Sequence, residues 1–342
     1  MTLQKNVLPT LSDFSFLLVS TAKDRQRLME VYRSVREQYP KNEIIVVYDN
    51  NEPLYLSKED SNLIEVSTME KVYVSTGYNI ALSKCTKSYF VFIHDDTFIA
   101  PMFLENIIPH ISETTFCNFT AVEPPVFGDS TTIQKPIKDF GRTMDTFILD
   151  NFNKFAKNYI ETLKEKTIAS PFGGFFMAGS VKSILSIGGF DETFKPYFYE
   201  DSDLMVRLHL SGFRFVQVLD SLVYHMVSLT SRVDVDSSKI EEFTHNLFIK
   251  KWKVEFEYFK NLTMLQGIPY KNIPIKIKCI NCNNQLEEYL SLYSEDSTIE
   301  VEVDGSKLSK EDLGYLQSLS YIIQDTSLEG SYSLGSLNIN FS

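Results

Sequence analysis

The chain has 342 residues, 43% hydrophobic and 13% aromatic with 26 Phe and 18 Tyr, enough for one large domain plus a smaller one around substantial cores. A formal net charge of −12 argues against general nucleic-acid binding, because phosphate contacts need clustered Lys and Arg; the Lys-rich stretch IKKWKVEFEYFK (249–260) reads as a solvated helix face. No apolar run approaches the roughly 18 residues a membrane span needs, and MTLQKNVLPTLSD lacks the layout of a secretory signal, so the expected compartment is the cytoplasm.

The first strand is the continuous apolar run FSFLLVS (14–20), as expected of a strand covered on both faces. After the polar TAKDRQ, Leu28, Val31, Tyr32 and Val35 recur with helical spacing until Pro40 stops the helix. EIIVVYDN (43–50) is a second apolar strand ending at Asp49, a helix is expected from Thr76 to Ser83, and SYFVFIHDD is the next strand. Pro101 fits the first turn of a helix through PMFLENII. Residues 121–170 hold the turn-rich EPPVFGDSTTIQKPIKD and the helix-like DTFILDNFNKFAKNYIETLKEK, read either as a loop or helical excursion over the site or as a surface insertion. PFGGFFMAG (171–179) leads into a short helix, Gly188 and Gly189 read as turn formers, Asp201 sits at a helix start, Gly212 ends that helix, and FRFVQV is a strand. Beyond about residue 265, IPIKIKCI, STIEVEVDG and SLNINFS alternate as half-exposed antiparallel strands do, with helix-like KLSKEDLGYLQSL between them.

Four cysteines are present: Cys85 and Cys117 read as buried thiols, and Cys279 and Cys282 form a C-x-x-C with no further pair or histidine, hence a reduced structural pair. Strand–helix–strand repetition argues for a largely parallel sheet, where ligands gather past the carboxyl ends of the strands. Those ends carry Thr21, Lys23 and Asp24, then Asp49, then Asp95 and Asp96. Adjacent carboxylates at the end of a buried strand repel and lose solvation, so a cation is expected beside them. Mg²⁺ commonly takes one or two carboxylates plus substrate phosphates.

The pieces VSTAKDR, VVYDN, GYNIAL (77–82), FIHDDT, GGFDETF, YEDSDLMVRLHLSGFRF, VYH and NLFIKKW (246–252) come in the order seen in glycosyltransferase family 2, which the chain resembles over roughly residues 14–255. The resemblance implies an α/β fold of GT-A type: a Rossmann-like mixed, mostly parallel sheet flanked by helices. A GT-A domain would span 1–264, with a nucleotide-sugar half near 14–120 and an acceptor half near 170–255. Residues 265–342 would form a small β-rich or α+β module.

It also implies an inverting transfer from a nucleotide diphosphate sugar, a UDP-sugar in the first instance, with Mn²⁺ or Mg²⁺. Thr21 and Asp49 then resemble uridine-side contacts, with Asn79 near the nucleotide and Asp95 near the ribose and diphosphate. Asp96 resembles the metal-binding carboxylate of the D-x-D motif, His225 the later histidine of the metal site, Asp201 the catalytic base and Glu200 its acceptor-binding neighbour. His94 departs from the pattern by standing at the first acidic position, a nucleotide contact in the family. Acceptors compatible with this are a glycan, a lipid-linked sugar (reached from the membrane periphery), a protein or a modified nucleobase. Blander readings stand beside these: Asp201 as a helix N-cap, His225 as a core histidine, Asp49 as a turn residue and Trp252 as core packing. Two other functions keep the fold: a nucleotidyltransferase, disfavoured because TAKDRQ has no glycine to cradle a triphosphate, and a degenerate domain serving as a binding or assembly module.

Overall fold

A computed structural model describes residues 8–126, 128–169, 175–227 and 237–252, together with the strand segments 262–264, 275–279, 299–303, 322–325, 330–334 and 337–341. The expectations for residues 171–174, for Cys282 and for a helix at 307–319 lie outside the described residues. The chain forms two compact units. The first comprises Met1–Leu185 with Phe215–Ser237, and the second Ser186–Arg214 with Ser238–Ser342.

The first unit is built on one mixed sheet. Its parallel half consists of β1 (Phe14–Ser20), β2 (Glu43–Tyr48), β3 (Leu63–Ser67) and β4 (Tyr89–His94), in the order β3-β2-β1-β4. β1 and β2 are buried almost throughout, the physical counterpart of their unbroken apolar runs. The other half contains β5 (Thr97–Ile99), β6 (Thr115–Val122), β7 (Thr167–Ala169), β8 (Met177–Ser180) and β9 (Arg214–His225), and continues the sheet as β4-β8-β6-β9-β5 with β7 also on β9. Here β8 runs antiparallel to β4 and β6, and β9 antiparallel to β5 and β7.

Helices pack on this frame. α1 (Arg25–Gln38) is capped by Asp24, whose carboxylate accepts from the Arg27 amide at 2.9 Å, and it buries Leu28, Val31 and Val35. Tyr32, expected in the same stripe, is only partly buried and donates its hydroxyl to Asp60 at 2.8 Å. α2 (Tyr73–Lys84) starts three residues before the expected helix and lies close on β1: a Cβ on Gly77 would stand 2.6 Å from Val19 Cγ1. α3 (Phe103–Ile107) begins after Pro101, because Met102 takes a left-handed conformation (φ 64°) that the helix cannot include. α4 (Leu149–Thr162) realises the helix expected within 121–170, and α5 (Val181–Ser186) follows β8.

Two consequences place the site. β1 has β2 on one side and β4 on the other, so the order reverses there and leaves a crevice at the strand ends. The register pairs Val19 with His94 and Ser20 with Tyr48, which sets Thr21, Asp49 and the His94–Asp96 turn along one edge.

The second unit carries α6 (Glu200–Leu210), α7 (Ser237–Trp252) and a separate sheet of six strands, β10 (Leu262–Met264), β11 (Ile275–Cys279), β12 (Ile299–Val303), β13 (Ile322–Asp325), β14 (Gly330–Leu334) and β15 (Leu337–Phe341). The antiparallel expectation fails at three of its five pairings: β11–β12, β12–β13 and β13–β15 are parallel. Alternation of apolar and polar residues encodes which face is covered but not strand direction.

Gly179 on β8 shows how tightly the sheet is covered, since an added Cβ would overlap the Phe116 ring and lie 3.1 Å from Phe90. Gly179→Ala is therefore expected to lower the unfolding free energy by about 1–3 kcal/mol, the usual cost of overpacking, in denaturant titration. An unchanged midpoint would show that the core yields there.

Candidate active site

β4 presents His94 at its end, and the chain then turns through Asp95 and Asp96 into β5. The antiparallel register of β5 and β9 pairs Thr97 with His225, and the Met226 amide donates to the Asp96 carbonyl at 3.0 Å. Strand pairing thereby brings the last residue of β9 beside a carboxylate more than a hundred residues earlier. His225 Nε2 lies 3.4 Å from Asp96 Oδ1, and its Nδ1 lies 2.9 Å from Glu123 Oε1. Glu123, just past β6, is also paired with Lys135 at 2.6 Å. His94 stacks obliquely on Phe175, with centroids 4.2 Å apart, and meets the His225 ring at 5.6 Å.

The electrostatics follow from this packing. Burial works to raise Asp96, but His225 beside it outweighs burial and holds the carboxyl well below its usual range. Burial works to lower His225, and the charges of Asp96 and Glu123 push it up to about 9. His94, with fewer compensating charges, is pushed by burial down to about 4 and is a neutral imidazole. Burial and the Asp96 charge push Asp95 up to about 6.

One ligand atom each from His94, Asp96 and His225 lie within 4.8 Å of one another. A carboxylate and two imidazoles gathered at that spacing fit a divalent cation, which would replace the His225 proton as the counter-charge of Asp96.

The other expected residues have different surroundings. Asp95 turns away from Asp96: its carboxylate accepts from Ser20 Oγ, its carbonyl accepts from Arg27 Nε at 3.0 Å, and the Arg27 guanidinium stands 3.7 Å from its Oδ1. Asp49 accepts from the amides of Val72 and Tyr73 at 2.6 and 3.2 Å, and so holds the start of α2. Thr21 Oγ1 is buried with no partner among the described residues, while the Thr21 carbonyl accepts from Asn51 Nδ2 at 2.7 Å. Asn79 is half-buried on α2.

Glu123 and Arg27 were not singled out from the sequence. Glu123 follows an apolar run, TFCNFTAV, just as Asp49 follows EIIVVY, so the strand-end rule would have found it.

The second unit carries the remaining carboxylates. Phe198 and Tyr199 enter α6 in left-handed conformations (φ 74° and 64°), an uncommon and costly backbone for bulky residues that concentrates at functional sites. Glu200 Oε2 is buried without a hydrogen-bond partner among the described residues; burial first, then the Asp201 charge, pushes Glu200 up to about 8. Burial also raises Asp201, whose Oδ1 accepts from the Ser202 amide at 2.7 Å. One turn on, Asp203 is wholly buried and shared by Arg207 at 2.8 Å and Lys251 at 2.6 Å; Lys251 also reaches Asp191 at 2.6 Å, and Arg207 donates to the carbonyls of Ile187 and Gly189. The GGFDE turn, α6 and α7 are thus tied by one charge network, with Gly188 and Gly189 both at positive φ.

Residues 17–185 match the profile of the family described as glycosyl transferase family 2. Comparison with curated proteins finds no match. Among solved structures, GalNAc-T7 with UDP, GalNAc and Mn²⁺ matches with a TM-score of 0.52 at 14% identity, covering 75% of this chain and 51% of that one. The chain therefore spans about half the length of that enzyme, and the likeness is one of fold, of GT-A type. Residues 1–349 of TarS from S. aureus match with a TM-score of 0.46 at 14% identity, covering 83% and 81% of the two chains. A mannosyltransferase from Pyrobaculum calidifontis, solved with GDP-Man and Mn²⁺, matches with a TM-score of 0.44 at 16% identity, covering 66% and 60%.

Arg27 neutralises a carboxylate from inside the fold, so Arg27→Met would leave Asp95 buried and unpaired. The expected cost is about 3–5 kcal/mol in chemical denaturation, the scale for breaking a buried pair by removing one partner. A loss under about 1 kcal/mol would place the pair with weakly coupled surface ions.

Proposed function

We propose that this protein, whose residues 17–185 match the profile of glycosyl transferase family 2, moves a glycosyl group from a nucleoside diphosphate sugar, in the first instance a UDP-sugar, to an acceptor hydroxyl with inversion at the anomeric carbon. The observation that carries this reading is the meeting of Asp96 and His225 at strand ends beside the point where the sheet order reverses. Asp96 and His225 would hold Mn²⁺ or Mg²⁺. Such an ion, when bound, neutralises the charge that grows on the departing diphosphate.

The chain's own residues have distinct tasks. Thr21, with a buried hydroxyl oxygen that lacks a partner among the described residues, is suited to receive the donor nucleoside. Asp49 and Asp95 shape that site, Asp49 by fixing the start of α2 and Asp95 by locking the turn against Ser20 and Arg27. Asn79 would lie along the nucleotide. Asp201 takes the proton of the acceptor hydroxyl as it attacks, a role worth about 10²–10⁴-fold. Glu200 binds the acceptor: adjacent buried carboxyls resist double ionisation, so Glu200 keeps a proton it can donate to an acceptor oxygen. The free thiols Cys85 and Cys117 fit a reducing, cytoplasmic setting.

Asp96→Ala should abolish Mn²⁺-dependent UDP binding in calorimetry, and undiminished binding would remove Asp96 from the donor site. Asp201→Asn should preserve UDP binding while lowering kcat by about 10²-fold or more; transfer at the wild-type rate would reject Asp201 as the base. Asp201 must be ionised to act and burial raises it, so kcat should fall as pH drops, with a midpoint above that of an exposed aspartate. A rate that stays flat until an exposed aspartate would itself be protonated would contradict the base assignment.

A further inference from the structure

We propose that His94 is a third protein ligand of the donor-site cation, and that the resulting set of two imidazoles and one carboxylate selects Mn²⁺ over Mg²⁺. The inference rests on the metal-dependent reading above and extends it to a residue that reading leaves out.

Three observations converge on the His94 ring. A ligand atom of it lies within 4.8 Å of those of Asp96 and His225, close enough for one ion to reach all three. His94 ends β4 and Asp96 lies in the turn that follows, and both stand beside His225, with ring centroids 5.6 Å apart for His94 and Nε2 3.4 Å from Asp96 Oδ1, whereas the intervening Asp95 turns to Ser20 and Arg27. None of the hydrogen bonds among the described residues ends on the His94 imidazole, although the ring is fixed by Phe175 at 4.2 Å and Phe176 at 5.4 Å between centroids. A half-buried imidazole whose nitrogens bond to no described residue can offer a lone pair to an ion.

His225 is oriented for the same task. Its Nδ1 is occupied by Glu123, which leaves Nε2 directed to Asp96. A carboxylate on the far nitrogen of a ligating histidine fixes the ring and its tautomer.

The ligand set decides which ion suits the site. Mg²⁺ prefers oxygen donors and near-ideal octahedral geometry, and gives up water reluctantly. Imidazole nitrogen favours the first-row transition ions instead, and two imidazoles with one carboxylate is a recurrent arrangement for them. An acidic residue at position 94 would supply an oxygen and suit Mg²⁺ better.

Mn²⁺ bound in the presence of UDP is followed by electron paramagnetic resonance, with Mg²⁺ as competitor. Pulsed measurement on the wild type should show two imidazole nitrogens coupled to Mn²⁺, and His94→Ala should reduce them to one. His94→Asp should lower the Mn²⁺-over-Mg²⁺ preference by about tenfold or more, the scale on which even the outer partners of metal ligands act. A single coupled nitrogen in the wild type, or an unchanged preference in His94→Asp, would overturn the ligand role of His94 and leave metal-dependent transfer standing. If no Mn²⁺ binds to the wild type with UDP, the metal-dependent reading fails and the inference fails with it. The wild-type nitrogen count does not depend on whether either variant folds.

Discussion

The structure turns on the encounter of Asp96 with His225. A carboxylate only 4% exposed at the end of a strand must meet a positive charge, and in this fold the partner is the last residue of β9, 3.4 Å away. The pairing of β5 with β9 produces that contact, and the Met226 amide on the Asp96 carbonyl sets its register. A one-residue slip would send His225 to the other face of the sheet and leave Asp96 without its counter-charge. The segment after β6 reinforces the position: Glu123 holds the far side of the imidazole, and Arg142 donates to the Met226 and Val227 carbonyls at 3.3 and 3.1 Å.

Carboxylates that look alike in sequence are sorted into different tasks by what surrounds them. Asp49 is occupied by two backbone amides, and Asp95 by a serine hydroxyl and a buried guanidinium. Asp96 faces two histidines, so its partner can be exchanged for another cation without dismantling the scaffold. Glu200 is the opposite case, a buried carboxyl with one oxygen unpartnered, in a helix entered through two left-handed residues. Such unspent polar groups are affordable where a ligand supplies the missing partner.

Much of this was legible in the sequence because burial on both faces writes itself as an unbroken apolar run. β1, β2 and β4 were therefore visible, and with them the strand ends at Thr21, Asp49 and Asp96. The order of short motifs located His225 and the Glu200–Asp201 pair. Three features were not legible. SYFVFIHDD reads as strand to its end, whereas β4 stops at His94 and Asp95–Asp96 turn into β5, a tertiary choice made where β9 pairs. Asp95 and Asp96 carry the same charge, and only the packing of α1 tells which one turns to Arg27. The strand-end position of Glu123 can be read along the chain, but its pairing with His225 comes from the neighbourhood of β6 and β9, which spacing does not express. Strand direction in the C-terminal sheet was hidden for a related reason, since alternation is the same in either direction.

In the transfer proposed above, a divalent ion and the diphosphate of a sugar donor meet at Asp96. A crystal of the protein soaked with UDP and Mn²⁺, recorded at the manganese absorption edge, tests it most directly. The expected result is an anomalous peak bound by Asp96 and His225, with diphosphate oxygens completing its coordination. Manganese and nucleotide located at any other part of the fold would contradict it.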